Sequence, residues 1–346
     1  MGERILITGG TGSFGQAMTR WLLDNDHTIR INSVPSIEEK MELEKQRGKL
    51  KDKFVTVCIL SRDQHKQELM ERRLKESGYD LNQVRFFIGD VRDRRRLYRA
   101  VKNVTYVIHA AAMKIIPSCE YNVSECIQTN IIGTENVVEV CAQSDTVKKF
   151  LLISTDKAVL PINVYGRCKA VAENITTMAD YNYGSPQCEF VTIRLGNVIS
   201  SNGSVIPLFS KLKNEKKPIP VTDRNMTRFF IPLSEVTKFA WDAIQYGGTG
   251  RILIPWMKAA RISLLARKFG SVKIIGIRPG EKIHEDIISP HEMPRTANLG
   301  EMGKKWIIYP EALEKDVRIP APVRSCDVKW WNLDKLIKIG TGNGHH

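Results

Sequence analysis

The sequence predicts an α/β fold, a doubly wound parallel sheet with a smaller companion toward its carboxyl end, and three observations carry that expectation. Short apolar runs at 4–8, 56–60, 84–88, 104–109, 149–153 and 189–195 alternate with helical segments, the rhythm of parallel strands joined by crossover helices. A glycine-rich loop separates the first run from the first helix. From about residue 196 the alternation gives way to shorter elements.

The first strand, Arg4-Ile-Leu-Ile-Thr8, runs into Gly9, Gly10, Thr11, Gly12, Ser13, Phe14 and Gly15, with a helical segment from Phe14 to Asp24. Such glycines permit a tight turn and close backbone approach to a pyrophosphate on the helix amino terminus, as in a Rossmann-like dinucleotide site. The loop alone is a weak signal, and the strand before it and helix after it supply the context it requires. After the second strand, where an acidic residue would hold a free ribose 2′-hydroxyl, stand Ser61, Arg62 and Asp63, with Lys66 one helical turn beyond Arg62. Arg62 and Lys66 suit a 2′-phosphate, so NADP is expected in preference to NAD.

Residues 27–53 lengthen the connection from the first helix to the second strand far beyond the usual few residues and read as an insertion. Asp90 and Val91 end the third strand beside the expected adenine, and Ala110, Ala111 and Ala112 follow the fourth with side chains small enough for close cofactor approach. His109 reads as a satisfied core histidine.

The fifth strand ends in the densest chemistry of the chain. Phe150–Ile153 is a buried-strand run, and Ser154, Thr155, Asp156 and Lys157 follow at its carboxyl end, where open parallel sheets bind ligands. Pro161 keeps the chain from entering helix at once. Tyr165 and Lys169, four apart, share a helix face, so the ammonium can stabilise a phenolate. A tyrosine four residues before a lysine is common by chance; its company makes this one a candidate. In the second half, Arg228 and Arg278 are placed to clamp a diphosphate and Glu281 to accept sugar or ribose hydroxyls. Each alone is more often a surface ion-pair residue.

A chain of 346 residues buries a large core. The expected division is 1–195 for an NADP-binding domain carrying the catalytic residues, 196–335 for a mainly substrate-binding domain able to return strands or helices to the first, and 336–346 for a flexible tail. The seven cysteines form no Cys-x-x-Cys pair and read as free buried thiols of a reducing compartment. No metal site is expected. No signal peptide opens the chain and no apolar stretch reaches the roughly 20 residues of a membrane helix, so a soluble cytoplasmic protein without membrane contact is expected. The net charge of +14 is spread among acids, which points to a solvated surface rather than nucleic acid.

Taken together, these motifs resemble the extended short-chain dehydrogenase/reductases, and within them the UDP-N-acetylglucosamine 4,6-dehydratases of polysaccharide and nonulosonate biosynthesis, in particular the 5-inverting branch. The resemblance runs from about residue 3 to 290. It rests on the glycine loop, Ser61-Arg-Asp63, Phe86-Phe-Ile-Gly-Asp-Val-Arg-Asp93, His109-Ala-Ala-Ala-Met-Lys114, Thr129-Asn130, Ser154-Thr-Asp-Lys-Ala-Val159, Tyr165, Lys169, Gly196-Asn197, Met226-Thr-Arg-Phe229 and Arg278-Pro-Gly-Glu-Lys282. It implies a bound NADP used without net redox change and a UDP-N-acetylglucosamine or related UDP-sugar substrate. It assigns Tyr165 and Lys169 to oxidation at C4, Thr155 to orienting the sugar, Lys157 to removing the C5 proton and Asp156 to protonating the departing 6-hydroxyl. Lys114 would touch both cofactor and substrate, and Asn197, Thr227, Arg228, Arg278 and Glu281 the substrate. A homo-oligomer, dimer or hexamer, is implied, with the segment from Tyr121 to Gln143 as its apolar face.

Three positions depart from the family pattern: Cys168 stands for Ser or Thr, Leu195 for Tyr and Asn202 for Arg. They bear on sugar and phosphate contacts rather than on proton transfer. Three other readings stay open. A 4-epimerase would use the glycine loop, Tyr165 and Lys169 without needing Asp156 and Lys157; a C5-retaining dehydratase would share nearly every residue; a non-catalytic NADP-binding scaffold would keep the fold, its usual mark being loss of Tyr165 or Lys169.

Overall fold

The strand runs of the first half become β1 (Arg4–Thr8), β2 (Thr56–Ser61), β3 (Val84–Ile88), β4 (Tyr106–His109), β5 (Lys149–Thr155) and β6 (Glu189–Leu195). The computed structural model describes residues 2–24, 55–184, 187–201, 203–299, 305–314 and 318–342; the expected insertion at 27–53 and Asn202 lie outside them. All six strands pair in parallel in the order β3-β2-β1-β4-β5-β6. That order reverses between β1 and β4, the switch point where such sheets open a crevice.

Alternation along each strand divides the core between two faces. Ile5, Ile7, Val57 and Ile59 face Met18 and Leu22 of the helix Ser13–Asp24, whereas Leu6, Cys58 and Leu60 face Val137, Val138 and Cys141. Near-complete burial on both faces is why these strands read as continuous apolar runs.

The second half contributes β7 (Asn197–Ile199), β8 (Ile219–Val221), β9 (Thr227–Pro232), β10 (Arg251–Pro255), β11 (Lys258–Arg261), β12 (Val272–Ile274), β13 (Asp286–Ile288), β14 (Thr296–Asn298), β15 (Lys305–Ile308) and β16 (Val323–Arg324). Three of these return to the large sheet: β10 lies parallel to β6, and β15 and β14 follow antiparallel. The others form small sheets, β11-β9-β7, β12-β8 and β13-β16; the first two share a separate core that includes Ile206, Phe209, Phe230 and Leu265, whereas Ile287, Ile288 and Val323 of the third pack into the core of the large sheet.

Residues 336–340 of the expected flexible tail over 336–346 are instead the end of the helix Leu333–Gly340, and residues 343–346 lie outside the described residues. Leu333, Leu336, Ile337 and Gly340 follow an i, i+3, i+4, i+7 stripe. Leu336 is fully buried, and Gly340 packs so closely that a Cβ there would lie 2.5 Å from Ile206 Cδ1. All seven cysteines are free. Among the described residues no helix is long and apolar enough to cross a membrane.

Candidate active site

The glycine loop forms a cradle at the β1–β4 crevice. Gly9 has φ +67°, its N–H donates to Leu60 O at 2.8 Å, and a Cβ would lie 2.8 Å from the Ala111 Cα. A Cβ on Gly15 would meet Gly10 O at 2.4 Å. Loop, helix and the β4 end are therefore packed backbone to backbone, as close approach to a pyrophosphate requires. Thr11, Gly12, Ser13 and Phe14 complete the turn into the helix.

Next to it, Ser61, Arg62, Asp90, Val91, Ala111 and Ala112 line one cleft together with Thr129. The Thr129 hydroxyl is buried there without a hydrogen-bond partner. An orphaned hydroxyl in a cleft of small residues fits a bound nucleotide, and this residue was quoted in the family motif without being given a role. Ala110 N donates to Thr8 O at 3.2 Å. Asn130 clamps the segment after β4, accepting from Met113 N and donating to Met113 O, both at 2.8 Å. Lys114 lies on the exposed side of this segment.

The two expected phosphate-binding cations differ in availability. Lys66 is tied to Asp63 at 3.1 Å, and Asp63 also accepts the Lys66 N–H as helix cap, which holds its carboxyl below the usual range. Arg62 is more than half exposed and touches Asp90 only at 3.5 Å, while Arg92 takes Asp90 at 2.7 Å. Arg62 is thus the freer of the two cations beside this cleft. His109 is a core histidine: Nδ1 meets Thr8 Oγ1 at 2.7 Å, Nε2 meets Thr134 Oγ1 at 3.0 Å, and burial lowers its pKa to about 3.

The β5 end gathers Thr155, Asp156, Lys157 and Tyr165. Asp156 is fully buried; its Oδ1 accepts from the Thr155 hydroxyl and from Lys157 Nζ, each at 3.0 Å. Asp156 Oδ2 is buried with no hydrogen-bond partner, which leaves one oxygen of the carboxyl free to accept or donate. Burial raises the Asp156 pKa. Burial opposes the charge on Lys157, but Asp156 and a second carboxylate, Glu285, outweigh it and hold the amine above its ordinary value. Glu285 Oε1 lies 3.4 Å from Lys157 Nζ and 3.5 Å from Arg228 Nε.

Tyr165 and Lys169 stand on the helix Val164–Thr177, whose start is fixed by Asn163, the Oδ1 of which accepts from Gly166 N at 2.7 Å. Only glycine fits at 166, since a Cβ there would lie 2.2 Å from Lys157 O. Burial pushes the Tyr165 pKa up to about 12, with the Lys157 charge and the neighbouring Thr155 side chain working the other way. The shared helix face pointed to Lys169 as the partner of the phenol. Instead Lys169 Nζ donates to Ile153 O at 2.8 Å, and burial lowers its pKa to about 8.

Two residues expected on the substrate are committed elsewhere. Arg228 donates to Thr227 O at 2.7 Å and Lys282 O at 2.8 Å besides facing Glu285, so it braces the segment behind Lys157. Thr227 Oγ1 meets Ser325 Oγ at 2.6 Å and His284 Nδ1 at 2.8 Å. Asn197 opens β7, Arg278 is exposed, and Glu281 Oε2 is buried without a hydrogen-bond partner. Sequence reasoning missed Glu285, because nothing in its local pattern marks it; the fold brings it in from the far half of the chain.

Below the site, buried Arg194 holds Glu173 in two hydrogen bonds of 3.1 and 2.7 Å and Glu292 in one of 2.7 Å, and Ser154 donates to Glu173 at 2.6 Å. This network ties β5, β6 and the Tyr165 helix to the second half.

A family model described as "Polysaccharide biosynthesis protein" matches residues 41–305. The chain is 42% identical over 292 residues to UDP-N-acetylglucosamine 4,6-dehydratase (inverting) of Campylobacter jejuni subsp. jejuni serotype O:23/36, covering 83% of this chain and 78% of that protein. It is 36% identical over 354 residues to "Uncharacterized membrane protein MJ1061" of Methanocaldococcus jannaschii, covering 97% and 95%. It is 36% identical over 305 residues to UDP-glucose 4-epimerase of Rickettsia bellii, covering 86% and 81%. Among solved structures, Pen from Bacillus thuringiensis superposes with a TM-score of 0.81 at 29% identity, covering 99% and 97%.

Proposed function

The chain belongs to the polysaccharide biosynthesis protein family, and we propose that it dehydrates UDP-N-acetylglucosamine across C5 and C6 with NADP bound and inverts C5. The product would be UDP-2-acetamido-2,6-dideoxy-β-L-arabino-hex-4-ulose. The observation that carries this reading is the buried Asp156–Lys157 pair beside Tyr165.

Each residue type answers a chemical need. NADP, when bound, supplies the acceptor and later the donor of a hydride. Tyr165, as its phenolate, takes the 4-hydroxyl proton as C4 is oxidised, and the Lys157 charge favours that phenolate against the cost of burial. Oxidation at C4 acidifies C5. Water loss then needs a neutral amine at C5 and a protonated carboxyl at the 6-hydroxyl. The Lys157–Asp156 ion pair is one proton swap from that state: the ammonium gives its proton to the carboxylate across 3.0 Å. Lys157 then takes the C5 proton, Asp156 gives its own to the departing hydroxyl, and the starting ion pair is restored; a proton delivered to the opposite face of C5 as hydride returns to C6 completes the inverted 4-keto-6-deoxy product.

A 4-epimerase is the second reading, favoured by the Rickettsia relative's name. It would use Tyr165 and the glycine cradle and has no need of a buried base and acid at C5 and C6. Incubation with UDP-N-acetylglucosamine followed by NMR of the product tests both. A 4-keto-6-deoxy sugar supports dehydration, its C5 configuration separates inversion from retention, and a C4 epimer with its 6-hydroxyl intact would establish the epimerase.

A further inference from the structure

We propose that Glu285 is a positioning residue for Lys157, the second carboxylate anchor that fixes the amine beside Asp156 and retains its proton until substrate engages the pair. The inference rests on the dehydratase reading and adds a residue from outside every motif of the catalytic segment.

Lys157 has a single long, flexible side chain, and one contact to Asp156 would leave its Nζ free to swing about that oxygen. A second contact from another direction removes this freedom. Glu285 supplies it at 3.4 Å and is itself almost fully buried, at 3% exposure. Its backbone is pinned as firmly: Glu285 N donates to Ser325 Oγ at 3.0 Å, Ser325 N donates to Glu285 O at 2.9 Å, and the paired strands β13 and β16 follow directly. A carboxylate so buried needs compensation. Glu285 receives it from Lys157, Arg228 and Lys282, which together outweigh the cost of burial and keep it ionised.

The charged groups around Lys157 are Asp156 and Glu285 on one side of the balance and Arg228 on the other, with the Tyr165 phenol adjacent. The four ionised groups Asp156, Lys157, Glu285 and Arg228 sum to zero. The neutral sum explains how they remain buried together. It also explains why the Lys157 proton is easily passed to Asp156 and not lost to solvent, since that transfer leaves the overall charge unchanged. Without the charge on Glu285, the amine would lose its proton at lower pH and its fixed position with it.

The test compares Glu285→Gln, which keeps the shape and removes the charge, with Glu285→Asp, which keeps the charge on a shorter arm. In Glu285→Gln, kcat for UDP-N-acetylglucosamine should fall on the order of 100-fold, the loss typical of a misplaced reacting group. KM should stay unchanged, and the alkaline limb of the pH–rate profile, which falls as Lys157 loses its proton to solvent, should move to lower pH. Glu285→Asp should restore that limb toward its original position. Lysine labelled at Cε in the protein without substrate should show the Lys157 titration moving to lower pH in Glu285→Gln. Thermal unfolding of each variant identifies any that has lost its fold. If Glu285→Gln is folded with both titration and pH limb in place, or if its defect lies wholly in KM, the proposal falls. If the titration moves while the unmodified protein makes no 4-keto-6-deoxy sugar, the link between Glu285 and Lys157 stands and the dehydratase reading is what fails.

Discussion

Replacing Lys157 with Ala removes the one cation shared by two buried carboxylates, and the consequences for stability and chemistry differ in sign and in pH. Asp156 is fully buried and Glu285 3% exposed. Breaking a buried ion pair from one side costs about 3–5 kcal/mol. Arg228 still faces Glu285 at 3.5 Å and the Thr155 hydroxyl still donates to Asp156, which places the expected loss near the lower end, about 3 kcal/mol at neutral pH. Without the cation, the folded-state pKa of the carboxylate pair rises above its unfolded value, a direction Asp156 already shows. A group shifted upward contributes stability below its unfolded pKa and loses it as pH rises through the folded one. The deficit of Lys157→Ala should therefore shrink from neutral pH down to about pH 4, as urea unfolding at several pH values would measure. Catalysis should not recover in parallel. Tyr165 still accepts the 4-hydroxyl proton, so C4 oxidation should proceed, slowed by loss of the charge that favours the phenolate, while reduced cofactor accumulates and water loss stops. In deuterated water the unmodified enzyme should place deuterium at C5 of a 4-keto-6-deoxy product. A product that keeps its 6-hydroxyl and original C5 hydrogen would refute the dehydratase reading, and a Lys157→Ala protein that dehydrates at the unmodified rate would refute Lys157 as the base.

Substituting Arg62 with Ala should weaken NADP binding by about 1–3 kcal/mol, the range for one charge-assisted contact, and leave NAD binding unchanged; equal affinities for the two in the unmodified protein, by calorimetry, would count against the assignment. Gly166→Ala should push the start of the Tyr165 helix off Lys157 O, 2.2 Å from the new Cβ, and lower kcat on the order of 100-fold by displacing the phenol; unchanged kinetics would show that the helix has room to move. The exposed apolar side chains of Ile115, Tyr121, Val123 and Ile127 should be covered in a homo-oligomer, and a monomeric mass by light scattering across working concentrations would rule that out.

The parts of the fold legible in the sequence are those in which one local pattern has one structural solution. Ile5, Ile7, Val57 and Ile59 could be placed because strands buried on both faces leave continuous apolar runs. The glycine loop was legible because its backbone demands, a positive φ at Gly9 and no Cβ at Gly15, are met by one residue type. Asp156 and Lys157 followed from their position at a strand end, and Tyr165 from its helical spacing to Lys169. Helical spacing placed Lys169 near Tyr165 but carried no information on Ile153 O, the stronger partner for its amine. Arg228 looked like a phosphate ligand because its type is common at such sites, whereas tertiary packing gives it three carbonyls and Glu285. The helix at 333–340 was missed because its apolar stripe is short and ends in Gly340, a residue that usually signals release and here permits contact with Ile206.

The buried Arg194 network limits how this chain can be recombined. An engineer seeking a new sugar preference would be drawn to exchange everything beyond Leu195 for the matching half of a relative. Such a graft removes Glu292, which Arg194 holds at 2.7 Å, along with Glu285 and the strands β10, β15 and β14 that complete the large sheet. The donor would have to return a carboxylate to Arg194, another to Lys157 and a matching sheet edge at β6, all in register. Swaps confined to the exposed turn around Arg278 leave those three junctions intact, provided that Gly280 O, which accepts from the Asn163 side chain at 2.8 Å, keeps its place at the start of the Tyr165 helix.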